Sequence, residues 1–126
     1  MRVGTDVMHI EDVAASLDRF GDGYLHRLFT PHEVESSRGC RHVFAASLAA
    51  RFAAKEATIK VLRPMTLRPP WRAIEVVRHE SGWCELQLTG EAACQARVQG
   101  ITDLAVSMTH DRNIAAAVVV ARCVPA

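Results

Sequence analysis

The stretch Val43–Leu62 constrains this chain more than any other, because seven of its twenty residues are alanine and none is glycine or proline. Alanine loses no side-chain freedom on entering a helix and exposes no polar group, so such a run predicts the longest helix of the chain. Pro64 stops it. Leu48, Phe52, Ile59 and Leu62 recur at helical spacing and mark an apolar stripe. Glu56 lies one turn after Phe52, on the flank of that stripe, and Lys60 follows one turn later on the same side. A Glu–Lys pair at this spacing is common on helices and contributes a few tenths of a kcal/mol. A carboxylate beside a buried stripe is also a place where a metal ligand can be held rigidly.

The rest of the chain divides around this helix. Arg2–Met8 reads as a strand, and from Ile10 the period changes to helical, with Ile10, Val13, Ala14, Leu17 and Phe20 on one face and Gly21 closing the segment. Tyr24–Phe29 is a short helical stretch. Thr30-Pro31-His32-Glu33 has a capping threonine, proline in the first turn and glutamate three residues after the cap, the signature of a new helix. Ser36–His42 is polar and predicts a loop. Ala73–Arg78 and Cys84–Thr89 read as strands of a hairpin around His79–Gly82, and Glu91–Val98 as a short helix ended by Gly100. Leu104–Met108 and Ile114–Ala121 are the last strands, joined by a polar turn at His110–Asn113. The run Ala115–Ala117 implies unusually close packing against the final strand. This mixture predicts an α+β fold, a single small domain over residues 1–126 with antiparallel strands packed against one long helix.

Composition narrows the function. With 126 residues the chain has room for one hydrophobic core, and its net charge of +1 gives no basic field for nucleic acid. Lysine occurs only at Lys55 and Lys60; the other basic side chains are arginine, whose planar fork suits phosphate. Cys40, Cys84, Cys94 and Cys123 are too scattered for a zinc site or a disulfide framework, so free thiols, mostly buried, are expected. No apolar run is long enough to span a membrane, and no signal-peptide core opens the chain; a soluble, cytoplasmic protein is the expectation. Nucleotide-binding glycine loops, nucleophile elbows and zinc-binding helices are absent.

Two other residues could join Glu56 and Lys60. Asp6 stands in an apolar strand, in GTDV, where aspartate is unfavourable unless it caps the next helix or does chemistry. Together, Asp6 and Glu56 would make an oxygen site suited to Mg²⁺, which completes its octahedron with water and substrate phosphate. His110, in SMTHDRN, could donate to an oxyanion or accept a proton, or simply serve the turn.

In order along the chain, GTDVMHIEDV (Gly4–Val13), RLFTPHEVE (Arg27–Glu35), RFAAKEATIK (Arg51–Lys60), the strand Ile74–Val76 and VSMTH (Val106–His110) resemble the holo-acyl-carrier-protein synthase family. These are small stand-alone 4'-phosphopantetheinyl transferases. The resemblance covers about Gly4 to Ala121. It implies an enzyme that moves the phosphopantetheine arm of coenzyme A to a serine of an apo acyl carrier protein, leaving adenosine 3',5'-bisphosphate. It further implies that Asp6 and Glu56 hold Mg²⁺, that Lys60 and His110 lie near the coenzyme A phosphates, and that Arg51 and Lys55 bind beside them. Glu56, Lys60 and His110 are the implied catalytic residues, with Glu56 through a water and His110 as the two candidate bases. A homotrimer with sites between subunits is implied as well. The alternative is a non-catalytic module that binds coenzyme A or a carrier protein.

The chain departs from the family in two places. Val61–Pro70 replaces a glycine-containing loop, and Gly82-Trp83-Cys84 replaces a glycine-x-proline turn. The first predicted helix is also acidic, with Glu11, Asp12 and Asp18 against Arg19. Docking of an acidic carrier is therefore expected on Arg19, His26 and Arg27, with Arg38 and Arg41.

Overall fold

A computed structural model describes residues 1–125. Strand β1 (Arg2–His9) leads into α1 (Ile10–Phe20), α2 (Asp22–Leu28) and α3 (Pro31–Ser36). The long helix α4 (Arg41–Leu62) follows, then a 3-10 turn at Trp71–Ala73, the strands β2 (Ile74–Arg78) and β3 (Cys84–Leu88), helix α5 (Gly90–Val98), β4 (Ile101–His110) and β5 (Ile114–Cys123). All strand pairs are antiparallel. One sheet has the order β1-β5-β4, and the other is the β2–β3 hairpin. The expected α+β architecture is the one observed.

Alanine explains how the layers meet. Ala45, Ala46, Ala49, Ala50, Ala53, Ala54 and Ala57 of α4 are all buried, and Ala115, Ala117 and Ala121 of β5 face them from the sheet. With methyl groups on both sides, helix and sheet approach closely. Gly4 on β1 takes this furthest: a Cβ there would collide with the carbonyl oxygen of Ala57 and stand 3.2 Å from Lys60 Cβ.

The hairpin β2–β3, α1, α3 and α5 close around the remaining sides of α4. The helix is therefore buried almost all round, which is broader than the single stripe expected from Leu48, Phe52, Ile59 and Leu62. Its least buried ridge over the last turns is Phe52, Glu56 and Lys60. Arg63 ends it in the left-handed conformation (φ 48°) without a glycine, its N–H bonding back to Ile59 O.

Three expectations need correction. The loop before α4 is shorter than predicted, since Ser36 closes α3 and Arg41 opens α4. β4 extends at both ends because it pairs along most of β5, so His110 is the last strand residue, opposite Ala115. The four cysteines are free thiols, but none is buried: Cys40 and Cys94 are exposed, and Cys84 and Cys123 are intermediate. Cys94 lies on the outer side of α5, whose packed positions are Ala92 and Ala96. No helix among the described residues is long and apolar enough to cross a membrane.

Candidate active site

Asp6 and Glu56 come from β1 and α4, which approach each other closely at Gly4. Asp6 shares the inner face of β1 with Gly4 and Met8, so it points toward α4. Its side chain is 24% exposed, and that of Glu56 is 25% exposed. Neither carboxylate is sealed or fully solvated.

The i,i+4 pair expected between Glu56 and Lys60 does not form. Lys60 Nζ reaches across to β1 instead, donating to Thr5 O at 2.7 Å and lying 3.5 Å from Asp6 Oδ1. Glu56 Oε2 faces Arg68 of the following loop at 3.9 Å. Each carboxylate thus has a single cation beside it, and Glu56 and Lys60 are one turn apart on the same ridge. Two half-buried carboxylates without nitrogen or sulfur donors are a hard-oxygen set, the type Mg²⁺ takes when water and phosphate supply its remaining ligands. The residues present fit that ion. Among the described residues no group of three or more His, Cys, Asp or Glu could hold a metal by protein ligands alone.

A second cluster lies elsewhere. Arg51, Arg78 and His110 line a cleft of about 160 Å³ together with Ser47, Cys84 and Thr109. Arg51 is only 4% exposed; its Nη1 donates to Ser47 O at 3.2 Å, while its buried Nε has no partner. Burial lowers the Arg51 pKa, and nearby Arg78 adds to that, while Cys84 and Glu33 oppose it. Arg51, Arg78 and His110 give this cleft N–H donors of the kind that suit an anion. Arg78 was not apparent from sequence, because it joins Arg51 only through the β2–β3 hairpin. The turn beneath His110 is firm: Asp111 accepts from the N–H groups of Asn113 and Ile114, each at 2.7 Å, and these bonds lower its pKa.

The two clusters do not meet within the chain. β5 separates β1 from β4, and the register sets Asp6 across from Ala117 and Met108, whereas His110 is across from Ala115 and Met8. Two strand spacings alone amount to roughly 10 Å. Lys55 departs most from expectation. It is fully buried and donates to Glu33 Oε1, Ile74 O and Trp71 O, so it has no proton left for a ligand. A spacing pattern could not reveal a partner so far away in the chain.

Of the basic residues expected to dock a carrier, Arg41 is taken up by Asp18 (2.7 Å) and Glu11 (3.9 Å), and Arg38 by Glu35 and the Phe44 ring. Their charge is matched locally. Arg27 instead lines an open groove of about 460 Å³ with Phe20, Tyr24 and Trp71, and Arg19 stands over the exposed Phe20 ring.

Comparison with known proteins agrees with this architecture. The profile of the 4'-phosphopantetheinyl transferase superfamily matches residues 2–119. The chain is 40% identical over 119 residues to a holo-[acyl-carrier-protein] synthase of Dehalococcoides mccartyi (strain CBDB1), covering 94% of this chain and 96% of the relative. It is 38% identical to one of Hyphomonas neptunium, covering 98% and 93%. Among solved structures, a Chronobacterium ammoniagenes ACPS–CoA complex superimposes with a TM-score of 0.87 at 32% identity, covering 98% of this chain and 97% of the other. Helicobacter pylori holo-[acyl-carrier-protein] synthase in complex with coenzyme A superimposes with a TM-score of 0.82 at 25% identity, covering 96% and 100%. This chain belongs to the 4'-phosphopantetheinyl transferase superfamily.

Proposed function

We propose that the chain transfers the 4'-phosphopantetheine arm of coenzyme A to a serine hydroxyl of an apo acyl carrier protein, releasing adenosine 3',5'-bisphosphate. One observation carries this reading: Asp6 and Glu56, both half-buried, lie on the closely packed β1–α4 pair, with Lys60 of α4 bound to β1 beside Asp6. Asp6 and Glu56 would hold Mg²⁺. Bound there, the ion offsets the charge of the pyrophosphate and of the phosphoryl oxygens as the arm transfers.

The chain's own residues do the positioning. Lys60 presents a point charge beside Asp6, where it can bind a phosphate oxygen once Asp6 is otherwise engaged. Arg51, Arg78 and His110 take a further phosphate in their cleft. Glu56, exposed enough to reach solvent, accepts the serine proton through a water.

The separation of the clusters supports a homotrimer in which one subunit gives Asp6, Glu56 and Lys60 and its neighbour gives Arg51 and His110. The outer face of the three-stranded sheet supports it too. Val3, Val120 and Ala105, then Thr5, Val118 and Ser107, then Val7, Ala116 and Thr109 align in register as an uncharged, uncovered surface. Val3 and Val7 are 66% and 55% exposed there. An apolar face of this kind marks an interface. The carrier is proposed to dock over α1 and α2, its acidic surface on Arg19 and Arg27 and an apolar side chain against Phe20. Free thiols fit work in the cytoplasm.

The test is release of adenosine 3',5'-bisphosphate when the protein meets coenzyme A, Mg²⁺ and an apo carrier. Release in step with modified carrier is expected; none with any apo carrier would overturn the reading.

A further inference from the structure

Glu33 and Lys55 are ionisable and fully buried, yet they take no part in the chemistry above. Lys55 Nζ donates to Glu33 Oε1 at 2.7 Å, to Ile74 O at 2.7 Å and to Trp71 O at 3.0 Å. Glu33 Oε1 also accepts from Thr30 N–H, and its Oε2 accepts from Val76 N–H, both at 2.9 Å. The Phe29 ring lies against the ammonium, 5.5 Å from ring centre to Nζ. The pair thus ties α4 to α3, to the 3-10 turn and to β2. Burial pulls the Lys55 pKa below the ordinary lysine range, against the pull of Glu33.

Such a pair is a poor source of stability, because apolar side chains of similar volume often serve a fold as well or better. Its use here follows from what surrounds it. Elsewhere α4 meets the sheet through alanine methyls, which bring helix and strand close but give few steric notches against sliding or rotation. Lys55 supplies a directional anchor, with three bonds to three elements. The next residue is Glu56.

We infer that Glu33 and Lys55 are positioning residues that fix the rotation and axial setting of α4, and through it the place of Glu56 on the ridge that α4 presents beside β1. This rests on the reading of Glu56 as a metal-binding carboxylate. Mn²⁺, as a stand-in for Mg²⁺, is titrated calorimetrically into wild type, Glu56→Ala, Lys55→Met and the double variant E33Q/K55M, each saturated with coenzyme A to supply the phosphate ligands, with thermal unfolding followed alongside. The double variant removes both charges, so neither is left buried alone.

The expected result is a cooperatively folded variant whose Mn²⁺ affinity falls about 10- to 100-fold, the usual effect of losing a group that orients a metal ligand. Its kcat falls with it, while KM for coenzyme A, set by Lys60 and the arginines, changes little. A folded variant with wild-type Mn²⁺ affinity and kcat would overturn the inference. Loss of cooperative unfolding in both Lys55 variants would overturn it too, by assigning the pair to holding the fold. Equal Mn²⁺ binding by wild type and Glu56→Ala is a different failure: it removes the metal assignment, and the positioning role with it.

Discussion

Lys55 and Glu56 are neighbours in sequence with opposite surroundings, since each helical residue turns about 100° from the last. Lys55 points into the β2 side and is sealed; Glu56 points along the wet ridge toward the loop carrying Arg68. Replacing Glu56 should therefore remove chemistry and leave the core untouched. Glu56→Ala is expected to lower transfer by more than about 100-fold, since loss of a group that merely supports a metal ligand already costs 10- to 100-fold. Its melting temperature should stay at the wild-type value, and normal turnover in that variant would refute the assignment. Asp111 makes a separate prediction. Its pKa is lowered in the folded state by the N–H bonds of Ile114 and Asn113, so its stabilising effect is present above the unfolded aspartate pKa of about 4 and is lost as pH falls through the lower folded value. Urea unfolding of Asp111→Ala should show a deficit near neutral pH that disappears at acid pH. A deficit independent of pH would show that the carboxylate charge is not responsible. At this scale the sequence identified Asp6, Glu56, Lys60 and His110 as chemically interesting residue types, but not their partners. Glu33 was legible as a capping residue, through Thr30 three positions earlier; its bonds to Lys55 and Val76 depend on contacts far away in the chain.

The elements were more legible than the contacts between them. Alanine content and Pro64 mark α4, the Thr30–Glu33 capping box marks α3, and both bonds of that box are present. The alanine run in β5 implied close packing, and the alanines of α4 are what meets it. Periodicity failed on the width of the buried face. A helix rich in alanine carries little amphipathic contrast, so burial on nearly every side leaves no pattern to read. Gly4 is the sharpest consequence of that packing. Gly4→Ala forces β1 away from Ala57 and should cost about 1–3 kcal/mol, as overpacking of a close contact does. Denaturant unfolding measures this directly, and an unchanged midpoint would mean that β1 and α4 have room to separate. Because Lys60 is bound to Thr5 O on the same strand, the variant should also weaken transfer.

For the whole molecule, the open face of the β1-β5-β4 sheet and the two separated clusters both support the proposed trimer, in which each chain would hold two parts of a site completed by its neighbours. Light scattering should give three times the 13.8 kDa chain mass. Val118→Asp, a charge at the centre of the outer face, should give folded monomers that have lost transfer. A wild-type monomer with full activity would contradict the shared site. Sequence could imply such an assembly only by resemblance, since nothing in its periodicities distinguishes a sheet face covered by helices from one covered by another copy. The account as a whole depends on the reaction itself. Intact-mass spectrometry of a panel of apo carrier proteins, incubated with this protein, coenzyme A and Mg²⁺, tests it most directly. The account predicts that at least one carrier gains the mass of a single phosphopantetheine arm, and that Glu56→Ala in the same incubation adds none. Coenzyme A or carrier binding without any mass gain across the panel would contradict it and leave a binding module in place of an enzyme.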